Sequence, residues 1–370
     1  MRAIILAFAL FVSGNVIAQG KEMYLLVGTY TSDIHVYKFN TQTGTVSPVS
    51  KIGGNDNPSY LAITANGKYV YAVNEKPGGS GEASAFSFDK KKGELKLINR
   101  VASGGDGPCF VDVDSAGDWV ATGNYQSGCI GMLKTNADGS LQQPVQVIQH
   151  QGYSVNVTRQ EKPHVHCAVF SPDGKFVFSN DLGTDKIYTY PFTPGNLSQP
   201  LNEENVTTTD VPDGSGPRHM AFHPNRKFFY VINEMAGTLI AYQCNNGKLT
   251  ELQNIASDNT KTKTDKGSAD IHITPDGKYL YTSNRASAND ITIYRIATNG
   301  TLTELGHQST LGVHPRNFTI DPTGKFLLVA NRDTNNIVVF TIYKSTGLLS
   351  PTGVQIQVDK PVCLKMTPVQ

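Results

Sequence analysis

The chain has 370 residues, only 17% of them charged, and a formal net charge of +1. Such a balance leaves no electrostatic footprint for nucleic acid or an anionic membrane surface, so recognition has to come from a local site. Thirty-five glycines and 19 prolines spread along the chain suit an all-β protein with many turns.

The first 18 residues stand apart from the rest. Met1-Arg2 carries positive charge, Ala3 to Val12 is apolar, and Val16-Ile17-Ala18 ends on a small residue before Gln19. This reads as a secretory signal over 1–18, cleaved after Ala18, which makes 19–370 the mature domain and places it in the periplasm or outside the cell. The apolar run is too short to span a bilayer comfortably, and no later segment is apolar enough to do so.

From Pro58 onward one frame recurs. Pro58/Asn74, Pro108/Asn124, Val165/Asp181, Pro217/Asn233, Ser268/Asn284 and Pro315/Asn331 each bracket two short apolar runs about a turn, the markers standing 16 positions apart. Asn66-Gly67-Lys68, Asp173-Gly174-Lys175, Asp276-Gly277-Lys278 and Thr323-Gly324-Lys325 fill the turns, where glycine supplies the positive φ a hairpin needs. Further Gly-x-Leu turns at Gly93, Gly247, Gly300 and Gly347 lead into a fourth strand of each unit. A period of about 50 residues with about four strands per unit is the signature of a propeller blade.

A seventh copy is split between the ends of the chain. Pro361 to Pro368 supplies only an inner strand, whereas Tyr24 to Thr29, with Gly28 in the asparagine column, supplies only a second one. The expectation is an all-β, seven-bladed β-propeller, monomeric, closed by pairing the C-terminal inner strand with the N-terminal strands. Two inserts, His150 to Lys162 and Ser257 to Gly267, enter the rim where inner strands begin and are candidates to wall a pocket. Cys109, Cys129, Cys167, Cys244 and Cys363 show no Cys-x-x-Cys spacing and read as buried free thiols.

The repeat allows each column to be read across the blades. After the proline column stand Ser59, Cys109, His166, Arg218, Ala269, Arg316 and Val362; after the asparagine column stand Glu75, Tyr125, Leu182, Glu234, Arg285, Arg332 and Thr29. Packing imposes no common type at these positions, yet His166, Arg218, Glu234, Arg285, Arg316 and Arg332 fall on four consecutive blades. They should face one cavity at the mouth of the central channel, the alternative being independent solvated charges on a rim. Arginines gathered around a carboxylate and an imidazole suit an anionic or oxygen-rich small molecule. Glu234 and His166 are then the groups able to move a proton near neutral pH, and the sequence leaves open which is the base. His164, two residues before His166, belongs to the same strand face.

At this point the text resembles a known family. Pro163-His164-Val165-His166, Ser171-Pro172-Asp173-Gly174, Asn180-Asp181-Leu182-Gly183-Thr184-Asp185, Gly216-Pro217-Arg218-His219 with Asn233-Glu234, and Ser283-Asn284-Arg285 look like the seven-bladed β-propeller lactonase family. That family includes propeller-type 6-phosphogluconolactonase and carboxymuconate lactonizing enzyme, and the resemblance covers essentially the whole mature chain. It implies a lactone hydrolase acting on a sugar-acid lactone, with no cofactor and no metal. By motif the catalytic roles fall on His166, Arg218, Glu234 and Arg285, with His164, Asp181, Arg316 and Arg332 expected to bind substrate. The expected partner is a small-molecule lactone or anionic sugar acid, with no nucleic acid and no membrane span. A non-catalytic binding propeller and a lactone-forming isomerase are the alternatives. The signal peptide departs from the pattern and argues against a 6-phosphorylated substrate, which belongs to cytoplasmic metabolism.

Overall fold

The recurring hairpins pair in the register of the sequence frame: Pro108 with Asn124, Val165 with Asp181, Pro217 with Asn233, Ser268 with Asn284, and Pro315 with Asn331. The first copy differs, because its inner strand is only Leu61–Ile63 and Pro58 lies ahead of it. These pairings come from a computed structural model that describes residues 21–76, 80–262 and 265–369. The signal reading over 1–18 falls outside the described residues.

The strands form seven four-stranded antiparallel sheets, one per blade. In the closing blade Pro361–Pro368 is innermost and pairs with Glu22–Thr29, which is followed outward by Ile34–Asn40 and Val46–Ile52. Val27 lies opposite Leu364, and Leu25 opposite Met366. Gly28 is required at this seam, since a Cβ there would stand 2.4 Å from the carbonyl oxygen of Pro58.

Burial explains why the sequence shows two kinds of strand. Second strands such as Phe228–Asn233 and Phe326–Asn331 are buried at every residue, because both faces meet neighbouring blades, so they read as unbroken apolar runs. The outermost strand Leu349–Gln357 alternates instead, with one face in water. The core is therefore distributed between blades. Phe39, Phe326, Leu328, Val27 and Leu364, for example, pack together where blade six meets the closing blade. Each such side chain contributes about 1.5–3 kcal/mol on burial.

In three blades the asparagine column ties the blade to the one before it. Asn124 accepts a hydrogen bond from Ser103 Oγ at 2.7 Å, Asn284 does so from Ser257 Oγ at 3.1 Å, and Asn331 donates to the Thr310 carbonyl at 3.1 Å. These bonds offset part of the cost of burying an amide, although Asn331 Oδ1 is left without a partner among the described residues.

Immediately after the proline-column marker, five inner strands break register: between Pro108 and Phe110, Val165 and Cys167, Pro217 and Met220, Ser268 and Ile271, and Pro315 and Asn317. A bulge releases a residue from the ladder and re-aims its side chain. Cys109, His166, Arg218 with His219, Ala269 with Asp270, and Arg316 are the residues released, and the site grows from this irregularity.

Candidate active site

Glu234 follows the last residue of its strand, and its backbone N–H donates to the Gly216 carbonyl at 2.7 Å. Three guanidinium groups converge on its carboxylate. Arg218 Nε lies 2.9 Å and Arg285 Nη2 2.9 Å from Oε2, while Arg159 Nη2 lies 2.8 Å from Oε1. Burial would raise the Glu234 pKa, but the guanidinium charges of Arg285, Arg218 and Arg159 overcome it and hold the carboxyl well below the usual range. Burial lowers Arg285 to about 10, with Glu234 opposing the shift, and Arg285 is further fixed by donating from Nε to the Gly267 carbonyl at 2.9 Å.

His166 occupies the bulge of the third blade. Its Nδ1 is 3.8 Å from Cys109 Sγ, and among the described residues nothing hydrogen-bonds to Nε2. Burial, reinforced by the positive charge of Arg218, drives its pKa well below the ordinary imidazole value, so the ring is neutral at neutral pH. Burial also pushes the Cys109 thiol up to about 12, which removes it as a nucleophile.

Arg316 lines the same cavity, its guanidinium 5.1 Å from the centre of the Tyr30 ring. It makes no hydrogen bond or ion pair among the described residues, unlike the three arginines on Glu234. Tyr30 donates its hydroxyl to Glu75 Oε1 at 3.1 Å, and Ser59 Oγ donates to Glu75 Oε2. Tyr30, Glu75, Cys109, Tyr125, Gln126, Arg159, His166, Glu234, Arg285 and Arg316 together line a cavity of about 270 Å³. Beneath it Tyr60 stacks on Phe110 at 4.2 Å, and His219 packs edge-on against Phe110, Tyr60 and His166. Among the described residues no three His, Cys, Asp or Glu side chains are grouped to hold a metal ion. A neutral imidazole beside guanidinium groups in a small polar cavity equips the site to activate water and stabilise an oxyanion.

The profile described as "Lactonase, 7-bladed beta-propeller" matches residues 24–366. The chain belongs to the seven-bladed β-propeller lactonase family. Two curated 6-phosphogluconolactonases match over nearly their whole length. A 6-phosphogluconolactonase of Formosa agariphila is 37% identical over 350 residues, covering 92% of this lactonase and 99% of the relative. Among solved structures, a Bacteroides fragilis protein proposed to be a 6-phosphogluconolactonase is 43% identical with a TM-score of 0.89, covering 94% of this chain and 98% of its own. The periplasmic gluconolactonase of Pseudomonas aeruginosa is 32% identical, also with a TM-score of 0.89, over 94% of this chain and 100% of its own.

Within this lactonase the residues expected from sequence do not all reach the cavity. His166, Glu234, Arg285 and Arg316 line it. Arg218 does not: it is 1% exposed and sits behind Glu234, with Nη1 donating to the Ala269 carbonyl at 2.5 Å and to His219 Nε2 at 3.2 Å. It therefore holds Glu234 rather than an anionic substrate group. His164 stacks on Tyr125 at 4.4 Å, with Nδ1 on the Tyr125 carbonyl and Nε2 on Glu161, so both ring nitrogens are engaged by protein.

Asp181 is wholly buried away from the cavity. Its Oδ1 accepts from the backbone N–H groups of His164, Gly183 and Thr184, and its Oδ2 lies 2.9 Å from His150 Nδ1. No acceptor capacity faces a ligand, and the carboxylate instead ties down the start of the insert. Arg332 is turned onto Asp333 at the rim, at 2.5 and 3.1 Å. Sequence reading missed Arg159, Tyr30 and Gln126 as lining residues. The signal for Arg159 was present, since it lies in the insert expected to wall a pocket; Tyr30 and Gln126 stand two places beyond the asparagine column.

Proposed function

We propose that this lactonase opens a sugar-acid lactone by adding water to the lactone carbonyl, with His166 as general base and Arg316 receiving the developing oxyanion. The observation that carries the reading is the presence in one cavity of an imidazole kept neutral and a guanidinium that has no acceptor among the described residues. The water oxygen bonds to the carbonyl carbon as its proton passes to the imidazole. Charge on the former carbonyl oxygen falls to Arg316, with Arg285 beside it, in a site where such charge is worth more than in water. Collapse of the tetrahedral intermediate breaks the ring C–O bond, and the imidazolium returns its proton to the leaving ring oxygen. The product is the open-chain hydroxy acid, whose carboxyl ionises in solvent.

Glu234 has a different task in this scheme. A carboxylate held so far below its usual range is a poor proton acceptor, but its charge stabilises the transient imidazolium and fixes three arginines. The names of the relatives, 6-phosphogluconolactonase and gluconolactonase, support a sugar-acid lactone as substrate. The leader-like text of 1–18 supports action outside the cytoplasm, and with it an unphosphorylated lactone. The test is pH-stat hydrolysis of gluconolactone and 6-phosphogluconolactone by the purified mature chain, with the spontaneous rate subtracted. A higher kcat/KM for gluconolactone is expected. Preference for the phosphorylated lactone overturns that part of the reading, and turnover of neither overturns the substrate class.

A further inference from the structure

The cavity carries a second carboxylate that the scheme above does not use. Glu75 lines the wall beside Arg316, yet it forms no ion pair among the described residues. Its backbone is pinned, with N–H on the Asn57 carbonyl at 3.1 Å and C=O accepting from Asn57 Nδ2 at 3.1 Å. Its carboxylate is oriented by Tyr30 on Oε1 and by the buried Ser59 on Oε2. An ionised carboxylate offers about four acceptor positions and these two donors occupy two, so both oxygens retain capacity for a ligand. Tyr30 links this wall to the acyl end of the cavity, because its hydroxyl holds Glu75 while its ring lies under Arg316.

From this arrangement we infer that Glu75, oriented by Tyr30 and Ser59, is the hydroxyl-recognition wall of the site and selects polyhydroxylated lactones over unsubstituted ones. Two adjacent carboxylate oxygens match the spacing of a vicinal diol, and charge-assisted O–H···O⁻ bonds are the strong kind. The same negative charge repels a carboxylate or an oxyanion. The acyl end is thereby directed to Arg316 and His166 and the hydroxylated edge of the ring to Glu75. A site built to bond a substrate hydroxyl discriminates strongly against the analogue that lacks it, since its own polar groups are then left unpaired.

The inference rests on the lactonase reading, and its test separates the two. The ratio of kcat/KM for gluconolactone to that for δ-valerolactone is measured for the wild type, Glu75→Gln and Tyr30→Phe, with melting temperatures as the control for folding. The wild-type ratio is expected to be about a hundred or more, Glu75→Gln to lower it about tenfold or more, and Tyr30→Phe to lower it by a smaller factor in the same direction. A ratio unchanged in both variants, or equal losses on the two lactones, overturns the inference. If the wild type hydrolyses neither lactone, the hydrolytic reading fails on its own account. Calorimetric binding of gluconate against δ-hydroxyvalerate then decides the role of Glu75: wild type favouring gluconate and Glu75→Gln losing that preference supports the wall, and equal binding of both acids by the wild type overturns it.

Discussion

Arg218 donates through Nη1 to Nε2 of His219 at 3.2 Å, an arginine hydrogen-bonded to an imidazole that must be neutral to accept it. The proton of that imidazole therefore sits on Nδ1, which lies 2.7 Å from Asp270 Oδ1. Burial, aided by Arg218, lowers the His219 pKa to about 3, so this tautomer persists through the working range. Asp270 is anchored in turn by His272, Asn317 and the backbone N–H of Phe318. A hydrogen-bonded line thus runs from the floor of the channel through Arg218 to Glu234.

His219 lies outside the cavity but touches the site twice, through its hydrogen bond with Arg218 and through ring contact with His166, so a test of the Arg218 link has to keep an aromatic ring in place. His219→Phe keeps the ring contacts with Phe110 and Tyr60 and removes the acceptor. Steady-state kinetics should show kcat reduced roughly tenfold, the cost of about 1–3 kcal/mol for a buried donor left unpaired. His219→Gln, which restores an acceptor, should recover most of it. Full activity in the phenylalanine variant would show that Arg218 is held adequately by Ala269 and Glu234 alone.

Removing the base and removing the hub should look different. His166→Gln is expected to lower kcat by roughly a hundredfold or more with little change in Tm. Glu234→Gln should lower both, because it leaves the buried Arg218 charge uncompensated at a cost of about 3–5 kcal/mol. Calorimetry beside kinetics checks the pair. A Glu234→Gln protein with wild-type Tm and abolished turnover would return the role of base to Glu234.

The pH profile follows from the direction of the His166 shift. A histidine acting in its neutral form loses activity as pH falls through its pKa, and burial with Arg218 has moved that value well below 6.5. The kcat/KM for lactone hydrolysis should therefore stay level from about pH 8 to about pH 6.5, with the acid limb lying lower. A limb centred at or above the ordinary imidazole value would mean that His166 is solvated, or that another group is titrating.

Exhaustive treatment with EDTA is expected to leave kcat unchanged, since the scheme draws all its positive charge from arginine. Loss of activity on chelation, restored by calcium or zinc, would replace Arg316 as the oxyanion holder.

The fold was legible because a blade imposes the same demands seven times. Pro217 and Asn233 are directly opposed in the ladder, as are the markers of four other blades, so a spacing read from text reported a real pairing. His166, Glu234, Arg285 and Arg316 were legible for the same reason: they depart from a column whose other members show that packing does not dictate them. Depth was not legible. The bulge that releases both Arg218 and His219 sinks Arg218 behind Glu234, and a column of letters carries no such displacement. Asp181 occupies the asparagine column in a blade whose insert needs anchoring, so its charge serves His150 and three backbone N–H groups. Arg159 reaches Glu234 from 75 positions away along an insert with no repeat partner to compare it with.

The strand that completes the ring is the last to be made. Until Pro361–Pro368 exists, Glu22–Thr29 has no partner on its inner edge, and pairing Val27 with Leu364 closes a loop of nearly the whole chain. The six continuous blades need only local pairing, so the final step is the one that loop-closure entropy slows. During synthesis the protein therefore carries an open strand edge, the feature that invites wrong partners, longer than any other part of it. The two ends of the finished seam touch, since the Val369 N–H donates to the Glu22 carbonyl at 3.3 Å. A permutant in which 361–369 precede Glu22 through a short turn converts this last, longest-range pairing into a local hairpin. Stopped-flow refolding of that chain should be faster and less prone to aggregate than the natural order, with the lactonase site unaltered.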